Sequence, residues 1–495
     1  MHTNLQRALA VALAAGVTIP PSVLATNGYF AHGLGTASKA MAGVATALPQ
    51  DTLVGATNPA GMFSVGNRMD LGVAFFNPSN RGYEANYDYA TQQVPATDGA
   101  GNHFTVEFPA GPFVTPGRYD SDLDWFLIPS FGYNRVLNDQ MSIGVSVFGN
   151  GGMNTKYKER AVWENFAVAP NQLVTMEGNP MFVVVPNEGI LIQNGGPVPI
   201  IDPNMPPPPD GNNGNPGGFL TATTPTGINL EQLFIEVPFA YKVNDKHTLG
   251  IAPVFAVQRF EATGLEPFRG ASVSATNVTN NGKDTSYGFG LHVGWYGELT
   301  DQFSAGVSYR TRTWMTEFDD YKGLFAEQGD FDIPAVLNVG LAFRPRQDIV
   351  LAFDYQRIFY NSVDAIGNSN NTDISGCFAP GPKASICLGG DNGLGFGWDD
   401  MNVYKFGAAW DVNRQWTVRG GVSYASEFAP GGEGLFNVLA PATIQWHWTL
   451  GATYRHSATD EFSFSYAYMP KNEIDGQNQN ITGAQTGSVY MEQQE

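Results

Sequence analysis

The fold class this sequence predicts is all-β, a transmembrane antiparallel β-barrel, and three observations predict it. Runs of about ten residues alternate apolar with small or polar side chains, the period of a strand with two unlike faces. Very short turns join these runs in pairs, at Asn138-Asp139, Asn244-Asp245, Thr300-Asp301, Arg346-Gln347-Asp348, Asn413-Arg414 and Ala458-Thr459-Asp460. Long loops fill the alternate connections. Tilted strands of that length cross a bilayer, and a closed sheet leaves no backbone group unpaired there.

In chain order, the first 25 residues read as a secretory signal. Arg7 is the positive flank, residues 8–19 the apolar core and Val23-Leu24-Ala25 the cleavage pattern, so the mature chain starts at Thr26. The first strand is expected at 68–76, with Met69, Leu71, Val73 and Phe75 on one face. Strands follow at 125–133, 141–147, 230–242, 247–259, 287–296, 303–312, 336–343, 349–359, 403–410, 416–424, 446–454 and 462–468. If the first rises from the periplasm, every short turn is periplasmic and every long loop external. An even count then demands fourteen strands. Residues 488–495 are what remains for the last, too few and too polar to cross, so that strand is expected to be incomplete and the sequence to be cut before its natural end.

Composition agrees. The chain has 495 residues without a break that would divide it into soluble domains; glycine at 58 suits a curved sheet and crowded lumen, and aromatics at 13% suit interfacial girdles. Charged residues, at 15%, are few for a soluble protein. A net charge of −20 disfavours nucleic acid. No nucleophile–base motif or zinc-ligand spacing is present; the histidines are scattered over loops, turns and strands, so neither an enzyme nor a metal or cofactor site is expected. Cys377 and Cys387, close together in one loop, are expected to form a disulfide in an oxidising compartment, because two thiolates without a nearby histidine make a weak metal site.

The loop at 158–227 carries Pro206-Pro207-Pro208-Pro209 and a Gly-Asn-rich stretch, compositions that cannot build a core. The loop at 317–333 sets Phe318, Leu324 and Phe325 among acids, either as a groove for a greasy ligand or as a loop packed on itself. By parity Phe76, Phe126, Phe148, Phe234, His292, Arg310, Lys405 and Arg419 point inward. The phenylalanines either line a path for a hydrophobic ligand or pack against whatever fills the lumen.

Between the signal and the first strand, Gly33-Leu34-Gly35 leads into small residues, then Asp51 and Asn58-Pro59-Ala60. A phosphate-binding loop is excluded, since no strand precedes it and the third glycine and lysine–hydroxyl pair are missing. A compact plug (residues 26–67) inside the barrel (68–495) fits better, because an unplugged barrel of this size is an open pore. These motifs resemble the N-terminal hatch of the FadL/TodX (OmpP1-like) family of outer-membrane transporters. The resemblance continues through Pro129-Ser130-Phe131-Gly132-Tyr133, Gly149-Asn150-Gly151-Gly152-Met153-Asn154-Thr155, the 318–325 segment, Ala440-Pro441 and His447-Trp448-Thr449-Leu450-Gly451. It implies a fourteen-stranded barrel with a hatch that takes up long-chain fatty acids or aromatic hydrocarbons passively. It also implies a kink in the third strand, here at Gly149, Asn150, Gly151 and Gly152, through which ligand leaves sideways; glycine tolerates such a break. Basic residues near the ligand head group would correspond to Arg259 and Lys405.

The expected function is therefore passive uptake of hydrophobic molecules across the bacterial outer membrane, with lipids as surroundings and a monomer as the working form. The competing readings are a general diffusion porin for hydrophilic solutes and a structural or adhesive surface barrel.

Overall fold

The computed structural model describes residues 27–87, 91–97, 103–109, 113–114, 117–123, 125–158, 163–164, 192–193, 196–197, 225–378, 381–479 and 485–494. The signal at 1–25 and the polyproline run in the 158–227 loop lie outside the described residues. Among those described, the wall is one antiparallel sheet of strands that neighbour each other in sequence order. They are β1 (Arg68–Phe76), β2 (Phe126–Asn138), β3 (Met141–Asn154), β4 in two segments (Gly227–Glu236 and Phe239–Asn244), β5 (His247–Thr263), β6 (Asp284–Glu298) and β7 (Phe303–Arg310). Then come β8 (Val336–Arg346), β9 (Ile349–Ile358), β10 (Met401–Asp411), β11 (Trp416–Ala425), β12 (Trp446–Arg455) and β13 (Glu461–Tyr468). β4 is interrupted at Val237-Pro238, where the expected 230–242 run was continuous: proline has no N–H for the ladder.

The sheet is apolar on its outside. Along β1, Leu71 and Phe75 are each 74% exposed while Phe76 is buried, and Phe406, Trp448, Phe464 and Tyr466 are likewise exposed. Inward positions hold Ser146, Ser304, Asn338, Asp354 and Thr449, all buried. An exposed apolar face of this extent needs lipid against it.

β1 and β13 share no ladder among the described residues; Arg68 of β1 and Glu461 of β13 join there in an ion pair at 2.5 Å. The end residues expected in a fourteenth strand are not in the wall. Gln485–Gln494 pairs with Asn472–Gln479 and Ser79–Tyr87 in a separate four-stranded sheet at the external end, where hydrophilic strands find partners outside hydrocarbon.

Residues 27–66 run among the inward side chains. Two short 3-10 turns, Thr52–Ala56 and Pro59–Phe63, are each capped by the preceding side chain: Asp51 accepts from Leu53 N–H and Asn58 from Ala60 N–H. Pro59 needs no partner at the first helical position. The Asn58 amide also donates to Thr46 O and to Trp295 O of β6, both at 2.9 Å. Further bonds come from right round the wall: Asn134 of β2 to Met62 O, Ser146 of β3 to Thr52 O, Ser304 of β7 to Ala47 O, and Arg419 of β11 to Gln50. Such close approach explains the small residues. At Gly43 (φ 88°) an added Cβ would stand 1.9 Å from His32 O.

Candidate ligand path

The outer end is closed by folded loops. In the 317–335 segment Phe318 is fully buried against Phe260, ring centroids 5.7 Å apart, so it forms no groove surface. Leu324 and Phe325 do line an apolar pocket, with Ile228, Phe260, Phe396 and Phe436. Its free space, about 30 Å³, is far below that of a small-molecule site. Cys377 and Cys387 are disulfide-bonded in the neighbouring loop, where Leu388 N–H donates to Ala271 O. At the loop's edge Asp330 lies near Asp332, which pairs with Arg312 at 3.5 Å; burial, then the Asp332 charge, push the Asp330 carboxyl up to about 6.

Beneath the pocket sits an aromatic layer. Tyr29 packs on Tyr360 (5.3 Å), Tyr360 on Trp398 (5.2 Å) and Trp398 on Phe428 (4.6 Å). The Trp398 indole N–H donates to Asn437 Oδ1 and the Tyr360 hydroxyl to Asn27 O, so the polar edges of these two are satisfied while their faces stay apolar.

A cavity of about 700 Å³ lies at the β1–β13 seam, lined by Leu34, Lys39, Phe76, Ile128, Phe148 and Gly149 and also by the outward-facing Leu71, Phe75, Phe464 and Tyr466. That volume suits a small-molecule ligand. Phe126 packs with Phe76 and Ile128 at the cavity edge. Phe148 and Phe234 stack edge to face at 5.6 Å, and the Arg310 guanidinium lies 4.6 Å over the Phe234 ring. Arg310 and His292 both contact Glu236, forming a buried, mutually neutralising group, with Arg310 also donating to Asn150 Oδ1.

The third strand departs from its neighbour at the glycines. The β2–β3 ladder ends at Ser130↔Phe148, although β2 continues outward to Phe126. Past Phe148, β3 bulges at Asn150 against β4 and turns to the N-terminal segment: Ala31 N–H donates to Asn150 O, and Gly152 N–H to Tyr29 O. An added Cβ at Gly151 would stand 1.7 Å from Tyr29 O, so only glycine allows this approach. Gly149 faces β2, where an added Cβ would be 3.3 Å from Ile128 Cγ2.

Other residues singled out from the sequence separate by place. Gly33, Gly35, Asp51, Asn58, Pro59 and Ala60 are in the N-terminal segment, where Asp51 lies against Gly35 (φ 81°). Lys405 points inward and donates to His32 O at 3.0 Å. Arg259 does not point inward: it stands on the outer face of β5, in register with Phe255, and pairs with Glu231 at 2.6 Å. Its odd position in the strand, opposite in parity to Phe260, is the physical reason. Sequence reasoning missed the contact between His32 and His447, whose rings stack inside the wall; no local motif joins them.

A sheet apolar on its outside, closed above by loops and holding a cavity of mixed apolar and polar lining, defines a membrane-spanning barrel protein. Residues 216–494 match the family model described as outer membrane protein transport protein (OMPP1/FadL/TodX), and the chain belongs to that family. It is an outer-membrane transport protein and not an enzyme. Its fold is similar to that of the P. putida toluene transporter TodX (16% identity, 94% of this chain and 96% of that chain, TM-score 0.55). It is also similar to a Pseudomonas aeruginosa FadL homologue (16% identity, 94% and 97% covered, TM-score 0.57). No curated protein matches the chain.

Proposed function

We propose that this protein takes up hydrophobic molecules, long-chain fatty acids or hydrocarbons, across the outer membrane and releases them sideways into the bilayer between β2 and β3. The barrel works as a monomer, with residues 26–67 as the plug that keeps hydrophilic solutes from passing through. The observation that carries the reading is the end of the β2–β3 ladder at Phe148, beside a cavity whose wall includes Ile128, Phe148 and Gly149. A hydrophobic ligand gains little by entering the aqueous periplasm and much by sliding into hydrocarbon.

The test is Gly149→Trp, which fills the space beside Ile128. Folding is checked by heat-dependent gel mobility and uptake is followed with a labelled hydrophobic compound. Uptake should fall by about ten-fold or more while the barrel stays folded, a barrier of order 1.4 kcal/mol. Unchanged uptake in the folded variant counts against exit at this place.

A further inference from the structure

Four buried polar side chains form an unbroken run of hydrogen bonds from the inner wall to the outer loops. The Arg310 guanidinium of β7 donates to Asn150 Oδ1 of β3 at 2.9 Å, and the Asn150 amide to Gln232 Oε1 of β4 at 3.0 Å. The Gln232 amide donates to Gln258 Oε1 of β5 at 3.1 Å, and the Gln258 amide to Phe331 O at 2.7 Å. All four side chains belong to residues at most 5% exposed. The direction of donation is fixed at both ends, because a guanidinium only donates and a backbone carbonyl only accepts. Each amide between them has one orientation that satisfies both neighbours, so no link turns without orphaning the next. Asn150 is the residue of β3 that the β4 ladder skips, and its carbonyl holds Ala31. Phe331 belongs to the 317–335 segment, and its ring packs at 4.8 Å on Phe325 of the outer pocket. That segment is held under strain. Glu327 and Gln328 lie at φ 52° and 56°, in the left-handed region that a Cβ disfavours. Bonds to the loop that follows Cys387 keep them there: Glu327 N–H to Gly390 O, Gln328 N–H to Gly389 O, and the Gln328 amide to Asp391 Oδ1.

We propose that Gln232 and Gln258 are positioning residues for uptake, coupling the outer loop at Phe331 to the β3 bulge at Asn150. The proposal rests on the reading that ligand leaves sideways at β3. When the 317–335 segment lifts, the Phe331 carbonyl moves off the Gln258 amide. Gln258 then turns to find another acceptor, and Gln232 loses its own. Asn150 is left with Arg310 alone, and the bulge loosens for as long as the segment stays up. With the segment down, the run of amides is whole and the bulge is held. Such coupling is reciprocal: whatever loosens the bulge favours the lifted segment by the same factor. Events at the outer pocket and at the break in the wall are thereby linked, although no residue belongs to both.

The test is a double-mutant cycle on the full chain in non-ionic detergent, without ligand. Gln328→Ala removes the side-chain bonds to Gly389 O and Asp391 and touches neither the run of amides nor the cavity. Amide exchange should then speed up by about five-fold in residues 317–335 and, through the amides, in residues 148–153 as well. Gln258→Met cuts the run at one link and Gln232→Met at another. In either background Gln328→Ala should still quicken 317–335 and leave 148–153 at the rate of the cut variant alone. A merely structural role for the two glutamines would raise exchange by itself but keep the response of 148–153 to Gln328→Ala. Two results overturn the proposal: no response of 148–153 to Gln328→Ala in the otherwise wild-type barrel, or an undiminished response in a folded cut variant. Uptake of labelled dodecanol into vesicles keeps the two readings apart. A wild-type barrel that passes none sinks uptake itself, whereas normal uptake with no response at 148–153 sinks the coupling alone.

Discussion

Asp354 offers the sharpest handle on how the N-terminal segment is held. It stands on β9 at 2% exposure, and its Oδ2 accepts from Ala45 N–H (2.9 Å), Thr46 N–H (2.9 Å) and the Thr46 hydroxyl (2.7 Å). Asp354→Ala removes the acceptor and leaves three buried donors without partners. Hydrogen bonds to a carboxylate are worth roughly 1.5–3 kcal/mol each, and bonds sharing one oxygen do not add fully, so we expect about 4 kcal/mol. That is a factor of about a thousand in local opening of the segment. Amide exchange across residues 42–48 should speed up by that order, and liposomes carrying the variant should swell faster in small sugars than wild type. Asp354→Asn keeps one acceptor oxygen in place and should fall between. Unchanged protection of residues 42–48 in folded Asp354→Ala would refute the reasoning, since the three bonds would then contribute nothing to seating.

Two further outcomes follow from the external loops. Replacing Cys377 and Cys387 by Ser opens a short covalent loop, and chain-entropy arguments put the loss at about 3 kcal/mol; proteolysis around residues 374–390 should accelerate in the variant and in reduced wild type, and equal rates would show the disulfide to be idle. The Asp330 carboxyl is raised to about 6, above its unfolded value, so its contribution to loop stability is complete below the unfolded pKa of about 4 and is lost as pH rises through about 6. Protection factors of residues 317–335 should therefore fall between about pH 4 and pH 7, and Asp330→Asn should flatten the change; a wild-type profile that rises instead contradicts the assignment.

The strands were legible because lipid on one side and a crowded lumen on the other impose a strict period of two. The 68–76 run is a strand throughout its length, with its apolar set outward as the alternation required. Pro238 was equally legible as a break in the ladder. Arg259 could have been placed outside by the same parity that put Phe234 inside. What the sequence could not reveal depends on distant partners. His32 and His447 come from opposite ends of the chain, and the pairing of Gln485–Gln494 with Ser79–Tyr87 follows from loop folding, not from any local pattern. At Gly149, Asn150, Gly151 and Gly152 the composition suggested a break; the turn of the strand toward Tyr29 and Ala31 depends on a partner more than a hundred residues away, not on any local pattern.

The bond from Ala42 N–H to Thr449 Oγ1 joins residues 407 apart in sequence. The N-terminal segment thus finds partners on a strand distant in sequence, and closing so long a loop is slow. Until β12 arrives, the segment with its small, tightly fitting side chains has only part of its cradle. A late strand that fails to dock would leave the inner segment loose even if every earlier hairpin had formed correctly.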